Sequence, residues 1–312
     1  MRSGDGDYST GQRLWFWRVG LDAVHEHPLL GVGAGRYAGH ALELATQVPD
    51  SPQLGADTQA HNVFVQIAAE LGAPVALFVA ACLVLWLVST WRRSARQPEV
   101  LGVLALAAPI LIHANLEHPL AYLHFLGLLG LLMGLVPNDP HRVPATRLAS
   151  MSPNALRFAS FAVLVGAIAA YVQYSPVERA MQVLQAQVRA GSAPQPSPPL
   201  SLRLSTIPSW SVFGDYAELM AVISAVPTPA NARDWLNRCE RVLAIGPTPH
   251  LLARCATAAQ AAGDARRASH LANGLCKVYP DSAPVLIESM LLVEQVSPAV
   301  SDLESRCVDR VK

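Results

Sequence analysis

LGAPVALFVAACLVLWLVSTW, residues 71–91, runs for 21 positions without a charged side chain. A helix rises about 1.5 Å per residue, so this stretch just crosses the roughly 30 Å hydrocarbon core of a bilayer. Composition points the same way. Of 312 residues, 52% are hydrophobic and 15% charged, and mean hydropathy is +0.29, a balance that suits lipid better than water as surrounding solvent. Net charge is zero, which argues against a nucleic acid or other acidic polymer as partner and leaves electrostatics to local groups.

Working outward toward the C-terminus, apolar runs at 100–115 and 119–136 predict a helical hairpin, with Pro109 inside its first arm and the tip LEHPLAY at one membrane face. A fourth run follows at 158–174. Arg92, Arg93, Arg96, Arg142, Arg147 and Arg157 lie in the loops 92–99 and 137–157, whereas the hairpin tip has no arginine. Basic loops stay cytoplasmic. Residues 1–70, the tip and everything after about 175 are then expected in the periplasm. Residues 1–12 (MRSGDGDYSTGQ) are polar and lack the apolar core of a secretory signal.

Beyond 174 the pattern changes. The proline-rich stretch APQPSPPLS (193–201) reads as a linker. After it, 238–287 alternates short amphipathic helices with proline and Gly-Asp turns. Pro247 and Pro280 stand 33 apart, near the roughly 34-residue period of tetratricopeptide-like hairpins. The expected fold is all-α: about four spans at 71–91, 100–115, 119–136 and 158–174, followed by a periplasmic helical, tetratricopeptide-like domain. The corresponding domains are a loop region 1–70, a transmembrane region 71–174 and a repeat-like domain 175–312. Cys239, Cys255, Cys276 and Cys307 all fall in that last part. Pairing across successive helical hairpins favours Cys239–Cys255 and Cys276–Cys307 among three possible connectivities.

Working outward toward the N-terminus, AHNVFVQIAAELG (60–72) sets His61 and Asn62 ahead of the first span and Glu70 at its mouth. A histidine titrates near neutrality and can accept a proton from a hydroxyl, although most single histidines pack or cap. Glu117, His118, Tyr122 and His124 crowd the hairpin tip, on the membrane side expected for His61, so the two segments could converge. His113, His118 and His124 lack a spacing that puts two ligands on one helix face, and no metal or other cofactor is expected. No G-x-S-x-G elbow is present. The glycines of HEHPLLGVGAGRY (25–37) lack G-x-G-x-x-G spacing and a preceding strand, and predict a close-packed turn after a helix over 13–27. In that helix Trp15 and Trp17 suit a membrane interface. Arg13 and Arg18 could snorkel to headgroups or bind a phosphate.

The order R-L-W-x-W, HPLLGVGAG, AHNVFVQIAAELG and then HANLEHPLAYLHFLG resembles the O-antigen ligase and polymerase superfamily over about 11–136. The E-[HY]-P-L-x-Y hairpin with a helical C-terminal domain is similar to its protein-directed branch, the bacterial O-oligosaccharyltransferases that glycosylate pilins. The resemblance implies transfer of a preassembled glycan from undecaprenyl pyrophosphate to a Ser or Thr hydroxyl of a pilin-like protein, without metal or nucleotide. It implies His61 as the essential histidine, Arg13 as a ligand of the pyrophosphate leaving group, and Glu117 and Tyr122 as hairpin residues contacting substrate. Members carry further spans and arginines upstream, so this chain is expected to be the C-terminal part of a longer protein, inactive if it stands alone. Two other functions stay open: the same chemistry with a saccharide acceptor, as in an O-antigen polymerase or lipopolysaccharide ligase, or a non-catalytic membrane-anchored scaffold.

Overall fold

In the computed structural model, residues 5–48, 51–52, 58–95, 97–117, 119–136, 153–189, 203–209, 211, 213–224 and 230–280 are described. Every regular element among them is helical, as the all-α expectation has it. The chain divides into two compact units, residues 1–41 with 57–152 and residues 42–56 with 153–312.

The first unit holds α1 (Asp5–Glu26), α3 (Val63–Leu71), α4 (Ala73–Ser94), α5 (Pro98–His113), a 3₁₀ turn (Pro119–Ala121) and α6 (Leu123–Leu135), and α2 (Tyr37–Gln47) starts in it. Helix α1 begins eight residues earlier than the apolar pattern predicts. Its face Trp15, Phe16, Val19 and Ala23 is buried, at the spacing of one side of a 3.6-residue helix, and α1 packs on α3. Trp15 therefore faces inward, with Arg18 5.8 Å above its ring, and only Trp17 of the two tryptophans suits an interface.

Helix α4 coincides with the deciding stretch. Among the described residues it is the one helix long and apolar enough to cross a membrane, and only 11% of its most apolar window is buried. Helices α5 and α6 are apolar but shorter. They meet over Ala107, Ile110, Leu129 and Leu132, with Trp86 of α4 and Phe125 against the cluster. Pro109 has no backbone N–H to donate within α5, yet the helix continues to His113.

The second unit contains α7 (Pro153–Arg189), α8 (Gly214–Ser224), α9 (Ala232–Leu243), α10 (Pro249–Ala261) and α11 (Ala265–Val278). The apolar run 158–174 occupies the first half of α7, where Phe158, Phe161 and Tyr171 point outward. Helices α8 to α11 pack in chain order, each on the next. Thr248 and Asp264 cap α10 and α11 by accepting from Leu251 N and Arg267 N, as oxygen-bearing N-caps do. The small residues Ala256, Ala259 and Ala272 lie fully buried between α10 and α11. The Tyr279 hydroxyl donates to the Pro247 carbonyl, tying the two proline turns together, and burial pushes its pKa up to about 12. A disulfide joins Cys239 to Cys255, the expected first pair. Cys276 is also disulfide-bonded; Cys307, its expected partner, lies outside the described residues.

Candidate functional site

Helix α3 is nine residues long, too short to persist by itself, and its two ends show what holds it. At the start, Asn62 in extended conformation accepts from Phe64 N and Val65 N through Oδ1, while Val63 N donates to the Ala114 carbonyl at the end of α5, 3.0 Å away. The Asn62 amide nitrogen leans toward Asn115 of the hairpin at 3.4 Å. The head of α3 is therefore pinned to the hairpin by backbone and side chain together.

At the other end, the glycine-rich turn caps α3. Val32 N donates to Ala69 O at 2.8 Å and Gly33 N to Glu70 O at 3.1 Å, and Ala73 N returns a bond to Pro28 O. These satisfy carbonyls that a helix end otherwise leaves orphaned. Gly31 and Gly72 both have positive φ, 67° and 90°. A Cβ on Gly31 would collide with the backbone of Glu70, and one on Gly72 with that of Leu29. Each glycine makes room for the segment carrying the other, which explains the tight turn read from 25–37.

Between these supports stands His61, the one non-glycine among the described residues with positive φ, at 50°. Non-glycine residues in that region store strain and cluster at functional sites. Its Nδ1 lies 3.0 Å from Glu117 Oε2, and the other carboxylate oxygen, Oε1, accepts from Arg13 Nη2 at 2.8 Å. The His61 ring also faces Phe16 of α1, 5.5 Å between centroids. Three segments separated by 56 and 104 residues thus meet on one carboxylate. Burial works to raise the Glu117 pKa, but the hydrogen bond and charge of His61, with the Arg13 charge, outweigh it and hold the carboxyl below its ordinary range. At neutral pH it is an anion between two nitrogen donors. Beside it a cleft of about 190 Å³ is lined by Gln59, Val63, Gln66, Ile67, Ala114, Glu117 and Leu120.

Of the residues singled out in the sequence, the structure joins Arg13, His61 and Glu117 into one bonded group. Tyr122 is not part of that group: it begins α6, is 61% exposed, and its ring lies beside His124 at 5.8 Å. His113 and His124 both pack on Phe125. His118 lies outside the described residues. Glu70 accepts from Gln66 Nε2 at 2.8 Å. Asn62 has a structural role not expected from the sequence, although its place immediately before VFVQIAAEL is an N-cap signal. Asp22, Glu26 and His40, not singled out by the sequence, are the one group among the described residues whose ligand atoms sit close enough to hold a cation. Asp22 and Glu26 are four apart on α1, a spacing that puts both carboxylates on one face. His40 turns one ring nitrogen to Asp22 at 3.1 Å and the other toward Glu26 at 4.0 Å, a contact that links α1 to α2. Nearby, the Tyr37 hydroxyl donates to the Phe16 carbonyl, and burial, then the Glu70 charge, raises its pKa far above the ordinary range.

Residues 101–289 match the family described as virulence factor membrane-bound polymerase, C-terminal, and residues 2–78 match the family described as O-antigen ligase. The chain is 29% identical over 126 residues to a general O-oligosaccharyltransferase of Acinetobacter baylyi. That alignment covers 40% of this chain and 21% of the relative, about a fifth of its length. No solved structure matches.

Proposed function

Because the chain belongs to the O-antigen ligase superfamily, in its O-oligosaccharyltransferase branch, we propose that it transfers a preassembled glycan from undecaprenyl pyrophosphate to a Ser or Thr hydroxyl of a periplasmic, pilin-like protein. The family is membrane-integral, and the proposed arrangement is a multi-pass inner-membrane protein whose N-terminal region and tetratricopeptide-like C-terminal domain face the periplasm. The observation that carries the reading is the strained His61 bound through Glu117 to Arg13.

In the proposed step, Nε2 of His61 takes the proton from the acceptor hydroxyl as its oxygen attacks the anomeric carbon. The bond from that carbon to the pyrophosphate breaks, and undecaprenyl pyrophosphate leaves with the electron pair. A guanidinium carries five N–H donors, so Arg13 can hold Glu117 through Nη2 and still offer donors to the charge building on the leaving group. Tyr122, exposed at the head of α6, completes the substrate side. The adjoining cleft, apolar at Val63, Ile67 and Leu120 and polar at Gln59 and Gln66, suits a short acceptor segment.

The test is transfer in membranes carrying the full-length protein, a lipid-linked glycan and a co-expressed pilin. His61→Ala is expected to abolish glycan on the pilin; undiminished transfer overturns the assignment. The polymerase description of the family matched over 101–289 favours a second reading, in which the same step uses a saccharide hydroxyl as acceptor. A mass shift on polysaccharide or lipid A in place of the pilin would select it.

A further inference from the structure

Glu117 was expected to touch substrate, yet both of its oxygens are engaged by protein. We propose that Glu117 is a positioning residue, which fixes the proton of His61 on Nδ1 so that Nε2 is the nitrogen that receives the acceptor proton, with Arg13 holding the carboxylate in place. This deepens the reading above and rests on His61 being its base.

An ionised Glu only accepts hydrogen bonds, so the nitrogen 3.0 Å from Oε2 must bear the hydrogen. In neutral imidazole one nitrogen carries the proton and the other the lone pair. A carboxylate at Nδ1 therefore leaves the lone pair on Nε2. The ring's direction is set by two further constraints, the left-handed backbone of His61 and the Phe16 ring beside it. The carboxylate in turn cannot swing away, because Oε1 is tied to Arg13 at 2.8 Å and the hairpin carrying it is bonded to α3 through Ala114 and Val63.

Glu117→Gln separates positioning from substrate contact, because its amide has one accepting and one donating end. Arg13 can only donate, so it selects the amide oxygen, and the amide NH₂ then points at His61. An NH₂ there demands a lone pair on Nδ1 and moves the proton to Nε2, the tautomer that cannot act as base. In the full-length protein assayed with lipid-linked glycan and a pilin acceptor, Glu117→Gln is expected to lower kcat by about 10²-fold or more while leaving the donor KM within about twofold. Glu117→Asp keeps the charge on a shorter arm and is expected to recover part of that loss. In ¹⁵N-histidine spectra of the same protein, the His61 signal should show a protonated Nδ1 in wild type and a protonated Nε2 in Glu117→Gln. A raised donor KM with unchanged kcat would make Glu117 a substrate contact and overturn the proposal, as would a protonated Nε2 in wild type or identical His61 signals in the two proteins. Failure of the base assignment is read separately, from an active His61→Ala.

Discussion

Leu77, Phe78 and Leu85 of α4 turn about 70% of their surface outward, whereas Leu251 and Leu252 of α10 keep 1% or less exposed. Leucine is common to both sets; what differs is how much of it each helix leaves exposed. In the first unit apolar side chains face out and the ionised groups Arg13 and Glu117 meet within it. In α9 to α11 of the second, apolar side chains pack inward around Ala256, Ala259 and Ala272, and the ion pairs of Glu218 with Arg238 and Arg241 are part-exposed, whereas the apolar run of α7 faces out as α4 does. Hydrophobicity and the direction it faces both distinguish these helices. Outward-facing apolar side chains on α4 are what a membrane span would present to lipid.

The contrast can be broken in graded ways. Leu251→Ala leaves a cavity in a filled core and should cost about 2–5 kcal/mol, read as a lower melting temperature of the second unit. Leu85→Ala removes a side chain that packs on little protein and should stay within about 0.5 kcal/mol; equal losses at the two sites would erase the difference between units. Leu85→Arg is the sharper probe of α4, since an arginine near the middle of a membrane helix costs about 2.5–3.5 kcal/mol of insertion. Insertion assayed by glycosylation mapping should fall clearly, and an unaffected signal would deny α4 its span.

The smallest effect concerns pH. The hydrogen bond from Arg238, against an opposing push from burial and with help from the charges of Arg238 and Arg241, holds the Glu218 carboxyl below its ordinary 4.5. Its contribution is then present above about pH 4.5 and lost as pH falls through the lowered folded value. Melting of the second unit should be flat near neutrality and decline in acid, and Glu218→Gln should flatten that decline.

Local pattern made much of this visible beforehand. The uncharged run at 71–91 became α4 because a span is dictated by length and composition within one segment. Cys239 and Cys255 could be paired because they fall on consecutive helices of one hairpin. His61 and Glu117 could be set on one membrane side by loop charge, but not set in contact. The Arg13–Glu117 bond bridges 104 residues, and no period or motif encodes a meeting that depends on how α1, α3 and the hairpin pack. Tyr122 lies outside the bonded group, past the 3₁₀ turn at Pro119–Ala121. The start of α1 at Asp5 was missed for a different reason. Residues 5–12 are polar and glycine-containing, poor helix formers by propensity, and they continue a helix whose apolar face begins only at Trp15.

The bonded group of Arg13, His61 and Glu117 also has a history in time. A ribosome adding about 5–20 residues per second finishes His61 several seconds before Glu117, the two being 56 residues apart. Throughout that interval the nascent chain carries its histidine without the carboxylate that sets its proton. On the roles proposed for His61 and Glu117, competence arrives with the hairpin tip, so translation that halts short of residue 117 would leave a polypeptide with the histidine in place and no means of aiming it.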